Sequence, residues 1–157
     1  MDVAEADEGY KNFMSFNPLS EVRYRYRLGI EHLERAERLF SLKDWVGTVS
    51  ASQLSIESLA KAVIAIFEVP TWSHDPSGQL SGLLAKIPDD VVEKVKTLVA
   101  FAREIAPEHG RSSYGEPTAG LVPGDIYKKE HASSALEEAK KAKETVEIVL
   151  ERFDIKF

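Results

Sequence analysis

The segment between Asp44 and Pro70 constrains the fold of this chain more than any other stretch. Its apolar side chains recur at steps of three and four residues from Trp45 to Phe67, which is the period of one helical face. A second apolar row runs beside the first, and a helix that is apolar over more than one face packs on several sides. We therefore predict a central helix that begins at an Asp44 cap and ends before Pro70.

The rest of the chain has the same helical period in four further segments. Helices are predicted from a cap at Ser20 to about residue 41, from Asp75 to before Pro88, from Asp89 onward, and from about Ile126 to Phe153. Residues 107–124 hold three prolines and four glycines, so they are predicted to form a long loop. No segment alternates as a strand does, and the prediction is an all-α, up-and-down bundle of four to five helices.

Length and composition limit the classes of protein that this chain can represent. Its 157 residues suit one domain, which we divide into an acidic, flexible N-terminal tail at 1–18 and a helical bundle at 19–157. The absence of cysteine excludes disulfides, a thiolate nucleophile and sulfur-ligated zinc. The acidic start is unlike a secretory signal, and no apolar run reaches the roughly 18 residues of a membrane span. We therefore expect a cytoplasmic protein without a membrane anchor.

The order of these segments resembles the HEPN (higher eukaryotes and prokaryotes nucleotide-binding) family, especially its small stand-alone prokaryotic members. Four stretches carry the resemblance: DWVGTVSASQLSIESLAKAVIAIFEVP, SHDPSGQLSGLL, RSSYGEP and IYKKEHASSALEEAKKAKETVEIVLERF. It covers about residues 22 to 152. The resemblance implies a helical bundle that usually forms homodimers and needs no cofactor. Family members include metal-independent ribonucleases, toxins paired with small nucleotidyltransferases, and catalytically silent partners.

The resemblance points to Arg103 and His109 as a catalytic pair. Ribonuclease members of the family carry an arginine and a histidine four to six residues apart, and REIAPEH matches that spacing. Histidine can transfer protons near neutral pH, and arginine can clamp a phosphate. The family's usual polar residue after the arginine is here Glu104. The alternative is a solvated arginine near a helix C-terminus, where the helix dipole favours a cation.

A second candidate site is the loop RSSYGEP together with the residues that follow it. Arg111, Ser112 and Tyr114, with Lys128 and its neighbour Lys129, could hold a nucleotide or RNA by phosphate contact and base stacking. The alternative is a polar loop whose tyrosine and arginine serve the structure.

Polar residues also interrupt the most apolar helix. Gln53, Glu57 and Lys61 stand at i, i+4 and i+8, so they share one helical face, and glutamate four residues before lysine is a favourable pair. We expect them to line a cleft or to cross an interface between two copies of the chain. The alternative is a stripe of side chains whose hydrogen bonds are solvated or lie at an interface.

Two further motifs have ordinary structural explanations. His74 and Asp75 are a pair found in metal phosphohydrolases, but the supporting ligands are missing and Asp75 suits a helix cap, so no metal site is predicted. The run Arg23–Arg27, RYRYR, could hold single-stranded nucleic acid. With a net charge of −6, we interpret it as one amphipathic helix with Arg27 paired to Glu31.

Three hypotheses of function follow. The first is a non-catalytic, homodimeric HEPN protein that partners a small nucleotidyltransferase in a toxin–antitoxin-like pair. The second is a metal-independent ribonuclease that uses Arg103 and His109 across a two-fold axis. The third is a nucleotide or RNA binder that uses Arg111, Tyr114 and the adjacent lysines.

Overall fold

The computed structural model describes residues 17–157, and these form helices and turns without a β-strand. The α-helices are α1 Pro18–Ser41, α2 Trp45–Ala65, α3 Ser77–Ser81, α4 Val92–Ile105, α5 Glu108–Tyr114, α6 Pro123–Ile126 and α7 Lys129–Arg152. Short 3₁₀ turns lie at Leu84–Lys86 and Pro117–Ala119. The all-α prediction is confirmed. Residues 1–16 of the predicted tail lie outside the described residues, and Pro18 already belongs to α1.

Helix α2 is the centre of the bundle, as its two apolar rows predict. It packs most extensively on α1 and α7 and also contacts α3, α4, α5 and α6. Ile56, Leu59 and Ile64 are completely buried. A helix enclosed in this way buries apolar surface on every side, which is the largest favourable contribution to folding.

The crossing of α1 and α2 depends on a small residue. A Cβ atom at Gly29 would lie 2.7 Å from Cγ of Leu59, so a larger side chain would force the helices apart. The Ser55 hydroxyl donates a 2.7 Å hydrogen bond to the Gly29 carbonyl across this contact. Glycine therefore allows an approach that a polar hydrogen bond then stabilises.

The predicted helix starts are confirmed in part. Asp44 caps α2, and its carboxylate accepts the Gly47 N–H at 2.8 Å. Asp75 accepts the Ser77 N–H at 3.0 Å, although α3 begins at Ser77 and not at Pro76. The Ser20 cap is wrong, because the Asn17 side chain accepts the Ser20 N–H and α1 begins about one turn earlier.

The predicted long loop of residues 107–124 is also wrong in part, because it contains α5 and the first two residues of α6. The residues of α5 have little helix propensity, but Arg111 and Glu108 form an ion pair one turn apart. Gly115 ends α5 with φ 69°, and a Cβ there would lie 2.0 Å from the Leu121 carbonyl oxygen. An ion pair within the helix and a glycine at its C-cap thus support a helix that the sequence pattern did not indicate.

The last predicted helix divides into two pieces. Tyr127 and Lys128 are extended and separate α6 from α7, so the long C-terminal helix begins at Lys129 and not at Ile126. Its alanine-rich face packs on α2, with Ala132, Ala139 and Ala142 buried. Within residues 17–157, no helix combines the length and apolar character needed to cross a membrane.

Candidate functional site at the polar face of the central helix

Three polar side chains of α2 are buried on one face of the helix. Gln53, Glu57 and Lys61 are 1%, 8% and 4% exposed. These low values mean that the three residues are enclosed by their own chain. Burying charged groups is unfavourable unless they find partners.

The three side chains of this polar face bond to one another. The Gln53 amide donates to Glu57 Oε1 at 3.1 Å, and the Lys61 ammonium donates to Glu57 Oε2 at 3.5 Å. The i, i+4 spacing on a helix places the three side chains within this reach. The predicted Glu57–Lys61 pair is confirmed, and it lies inside the protein.

Two histidines from distant parts of the chain meet above this face. His74 lies in the connection between α2 and α3, and His109 lies in the first turn of α5. Their rings are stacked with centroids 3.5 Å apart and planes 18° apart. His74 Nδ1 is 2.9 Å from Glu57 Oε1, and His109 Nδ1 is 3.1 Å from Gln53 Oε1. We name Gln53, Glu57, Lys61, His74 and His109 the histidine cluster.

The hydrogen bonds determine which ring nitrogen of each histidine is available. A carboxylate oxygen and an amide oxygen are acceptors, so each Nδ1 carries a proton and donates it. The opposite nitrogen, Nε2, is then the basic atom of the neutral ring. In each ring, Nε2 lies on the side away from the hydrogen bond that Nδ1 makes to α2. Side-chain exposure of 55% leaves His74 accessible to a ligand, while His109 is half-buried.

Within residues 17–157, no side-chain hydrogen bond joins Arg103 to His109, and their pairing across two copies of the chain stays a prediction. Arg103 is exposed on α4, beside the buried Ala102, whereas the His109 ring turns toward α2. Among residues 17–157, the side-chain hydrogen-bond partner of His109 is Gln53. The spacing in the sequence cannot reveal this contact, because Pro107 separates α4 from α5 and Gln53 lies far away in the chain.

The residues predicted to bind a nucleotide or RNA differ in their contacts and in their exposure to solvent. Arg111 donates to Glu116 Oε1 at 2.7 Å and to Glu108 Oε1 at 3.3 Å. Ser112 is buried and donates to the His109 carbonyl at 3.5 Å. Tyr114 is 78% exposed, and Lys128 is exposed at the start of α7. The two carboxylates beside the Arg111 guanidinium are contacts of the kind that the structural alternative implies, and binding of a nucleotide or RNA by these residues stays a prediction.

The same network fixes α5 against the extended connection between α6 and α7. The Tyr127 hydroxyl donates to Glu108 Oε2. Burial, together with this hydrogen bond, raises the pKa of Tyr127. The Arg111 guanidinium lies 6.0 Å from the Tyr127 ring centre, within the range of a cation–π contact. These contacts hold the helix that carries His109 in place.

The basic stretch at the start of α1 takes structural roles as well. Tyr26 is buried and donates to Glu147 at 2.6 Å, while Arg25 pairs with Glu21 at 2.7 Å. Within residues 17–157, the predicted ion pair of Arg27 with Glu31 is not formed at 4 Å or less. The interpretation of this stretch as part of an amphipathic helix fits the structure, but the ion pair that forms is Arg25 with Glu21.

Glu57, His74 and His109 offer ligand-type atoms within 4.8 Å of one another. Zinc binds imidazole nitrogen at about 2.0–2.1 Å along the lone pair, which lies in the ring plane. Two nearly parallel rings 3.5 Å apart cannot both direct such lone pairs at one ion without turning. The Lys61 ammonium beside Glu57 also repels a cation. The stacked arrangement is therefore better suited to moving protons than to holding a metal.

Sequence reasoning found Gln53, Glu57, Lys61 and His109 but did not join them to His74. The sequence pattern that the two histidines share is indirect. Each lies shortly after the end of a longer helix, with His74 just before the short helix α3 and His109 at the start of the short helix α5. Burial and the Arg35 charge lower the pKa of a third histidine, His32, against the opposing charges of Glu31 and Glu57. The field of Glu57 therefore extends to α1 as well.

Comparisons with known proteins agree with this architecture. No curated protein matches the chain. The crystal structure of TT1696 from Thermus thermophilus matches with a TM-score of 0.63 and 23% identity, covering 82% of this chain and 98% of that one; at this identity the match shows the fold. The model of the HEPN domain matches residues 22–153, nearly the whole bundle and both histidines. The resemblance seen in the sequence is thus confirmed, and this chain belongs to the HEPN domain family.

Proposed function

We propose that this protein is a metal-independent ribonuclease whose reacting groups are His74 and His109. The observation that carries the proposal is the stacked pair of imidazoles, each with its Nδ1 held by a buried side chain of α2. Holding Nδ1–H fixes both the tautomer and the ring orientation, so both Nε2 atoms are available for proton transfer. Arg103 has no role in the proposed reaction.

The chemistry of RNA cleavage without a metal requires one base and one acid. A neutral imidazole takes the proton of the ribose 2′-hydroxyl, and the 2′-oxygen forms a bond to the adjacent phosphorus. The bond from phosphorus to the 5′-oxygen breaks, and a protonated imidazole gives its proton to that leaving oxygen. The products are a 2′,3′-cyclic phosphate and a 5′-hydroxyl, so no water or cofactor is consumed.

The partners of the two rings suit these different roles. The Glu57 carboxylate accepts from His74 and attracts positive charge to that ring, which suits His74 to the role of the acid. Gln53 accepts from His109 with a neutral amide, which suits His109 to the role of the base. Two charged rings stacked at 3.5 Å repel each other, which suits a pair in which one ring acts as acid and the other as base.

The test is cleavage of a mixed-sequence RNA by purified protein in EDTA. We expect cleavage to persist in the chelator and to fall at least about 100-fold in His109→Ala and in His74→Ala, the usual contribution of a positioned acid or base. Arg103→Ala should cleave as the wild type does, and His131→Ala removes a histidine outside the histidine cluster as a matched control. Product ends should be cyclic phosphate.

Two results would contradict the proposal. RNA left intact by the wild type would exclude the activity. Loss of cleavage in Arg103→Ala, with His74→Ala fully active, would restore the arginine–histidine pair that the family resemblance implies. Circular dichroism of each variant separates loss of chemistry from loss of fold.

A non-catalytic, homodimeric partner of a small nucleotidyltransferase, in a toxin–antitoxin-like pair, is the second candidate. Exposed apolar side chains favour it where α1 meets the C-terminus: Leu19, Tyr24 and Phe157 are 48%, 56% and 50% exposed. Phe157 lies 4.8 Å from Tyr26, which places the C-terminus against this part of α1. Sedimentation equilibrium of the wild type and of Tyr24→Glu would show a dimer and its loss if this region joins two copies.

A further inference from the structure

Trp72 stands out among the exposed apolar side chains because its indole is almost entirely in water. It is 95% exposed and lies in the connection between α2 and α3, two residues before His74. An indole contributes most to folding when it is buried, so this position adds little to the stability of the monomer. A large, rigid aromatic surface in such a position is suited to binding.

The connection that carries Trp72 is held on both sides. The Gln79 side chain accepts the Thr71 N–H at 2.7 Å and donates to the Val69 carbonyl at 2.8 Å. The Ser73 N–H donates to Thr71 Oγ1 at 3.1 Å. The hydrogen-bonded backbone therefore holds the indole in place. Binding at Trp72 costs less conformational entropy than binding at a flexible loop, which would have to become ordered.

Trp72 also lies close to the reacting groups of the proposed ribonuclease. Two residues of extended chain span at most about 7 Å, so the Trp72 and His74 backbones are near neighbours. The His74 side chain in turn is bonded to Glu57 and stacked on His109. A ligand whose phosphate reaches His74 can place an adjoining flat group on the indole.

We infer that Trp72 is a stacking platform for a nucleobase of single-stranded RNA, next to the phosphate that is cleaved. This inference rests on the proposed function and names the form of its substrate. Every base has a π-face, so stacking tolerates any sequence, but a duplex keeps its bases paired and unavailable. The site would therefore select single-stranded over double-stranded RNA.

The surroundings of Trp72 favour a nucleobase over a protein partner. The residues that follow it, Ser73, His74 and Asp75, are exposed and polar, whereas the core of a protein interface is a contiguous apolar patch with few charges. One aromatic ring beside hydroxyl and imidazole groups instead matches a base with its sugar and phosphate.

The experiment measures binding without cleavage. A fluorescent single-stranded oligonucleotide with 2′-O-methyl groups has no 2′-hydroxyl to react, so its anisotropy reports affinity for the intact protein. We expect Trp72→Ala to weaken binding by about 5- to 150-fold, the range of one aromatic–base stack. Trp72→Phe should retain most of the affinity. Leu42→Ala, which removes an exposed apolar side chain from the turn between α1 and α2, should bind as the wild type does, and a duplex of the same sequence should bind more weakly.

Separate outcomes decide the two proposals. If Trp72→Ala binds the single strand as the wild type does, or if duplex and single strand bind equally, the platform is excluded even when unmodified RNA is cleaved. If Trp72→Ala weakens binding while unmodified RNA stays intact, the platform stands and the ribonuclease falls. A Trp72→Ala variant that changes the oligomeric state but not RNA affinity would make the indole a protein contact and overturn the inference.

Discussion

At the scale of single residues, Glu138 shows how groups on two helices change the pKa of one carboxyl. It lies half-buried on α7, and the cavity of about 200 Å³ between α4 and α7 is lined by both Glu138 and Glu104. Burial raises the pKa of Glu138, the charge of Glu104 raises it further, and Lys141 opposes them. The folded protein therefore binds a proton at Glu138 more readily than the unfolded chain does.

This pKa shift has a direct consequence for stability. A carboxyl with a raised pKa in the folded state makes stability fall as pH rises through that pKa. We expect Glu138→Gln to raise the free energy of unfolding at about pH 7 by a few tenths of a kcal/mol, a small value because the group is half-exposed and screened. Urea unfolding at about pH 7 and about pH 5 checks this, since the gain should shrink at the lower pH. Glu144→Gln, an exposed change on the same helix, should give no such pH-dependent gain.

At the scale of elements, α2 combines the most apolar surface of the chain with a buried charged pair. Lys61 and Glu57 are 4% and 8% exposed, and desolvating two ions costs several kcal/mol each before their attraction and hydrogen bonds offset it. Apolar side chains at these positions would fold at least as well. We interpret the pair as a requirement of the histidine cluster, because the ionised Glu57 carboxylate orients His74.

Removing one charge of the pair should reveal this arrangement. Glu57→Gln leaves the Lys61 ammonium buried without an anion, and we expect a loss of about 3–5 kcal/mol in the free energy of unfolding. Glu57→Gln combined with Lys61→Met should recover most of it, which a double-mutant cycle in urea measures. An exposed pair serves as control: Lys96→Met, which breaks the contact with Glu93, should cost less than about 1 kcal/mol. A Glu57→Gln variant as stable as the wild type would mean that water reaches the pair.

At the scale of the whole molecule, one helix connects all the others. Helix α2 contacts every other α-helix of residues 17–157, and one continuous hydrophobic core joins them. No part of this bundle can lose its packing on α2 without exposing that core. The described residues therefore form one cooperative unit.

Unfolding in urea should accordingly be a single transition. Trp45 packs on Phe40 with ring centroids 5.4 Å apart, at the junction of α1 and α2, so its fluorescence reports on packing. In a Trp72→Phe variant, which leaves Trp45 as the sole tryptophan, fluorescence and circular dichroism should give the same midpoint. Two separate midpoints would show that α1 and α2 part before the remaining helices melt, contrary to a two-state bundle.

The sequence determined the parts of this protein that depend on residues close together in the chain. Helical period located α1, α2, α4 and α7, the Asp44 side chain marked the start of α2, and the double apolar row identified the central helix. The order of these parts also indicated the HEPN family. Such features can be predicted because the i, i+3 and i+4 contacts of a helix are local and repeat.

Only the tertiary structure decided the candidate site. His74 and His109 are distant in the chain, and their meeting depends on how α3 and α5 pack against α2. Arg103 and His109 are close in the chain yet lie on different helices, because Pro107 separates α4 from α5. Helix α5 itself forms despite a glycine and two serines in its short length, since Glu116 and Tyr127 bind its Arg111 and Glu108 from neighbouring segments. Packing and long-range hydrogen bonds, which no local sequence pattern encodes, therefore determine that His109 contacts Gln53 and His74.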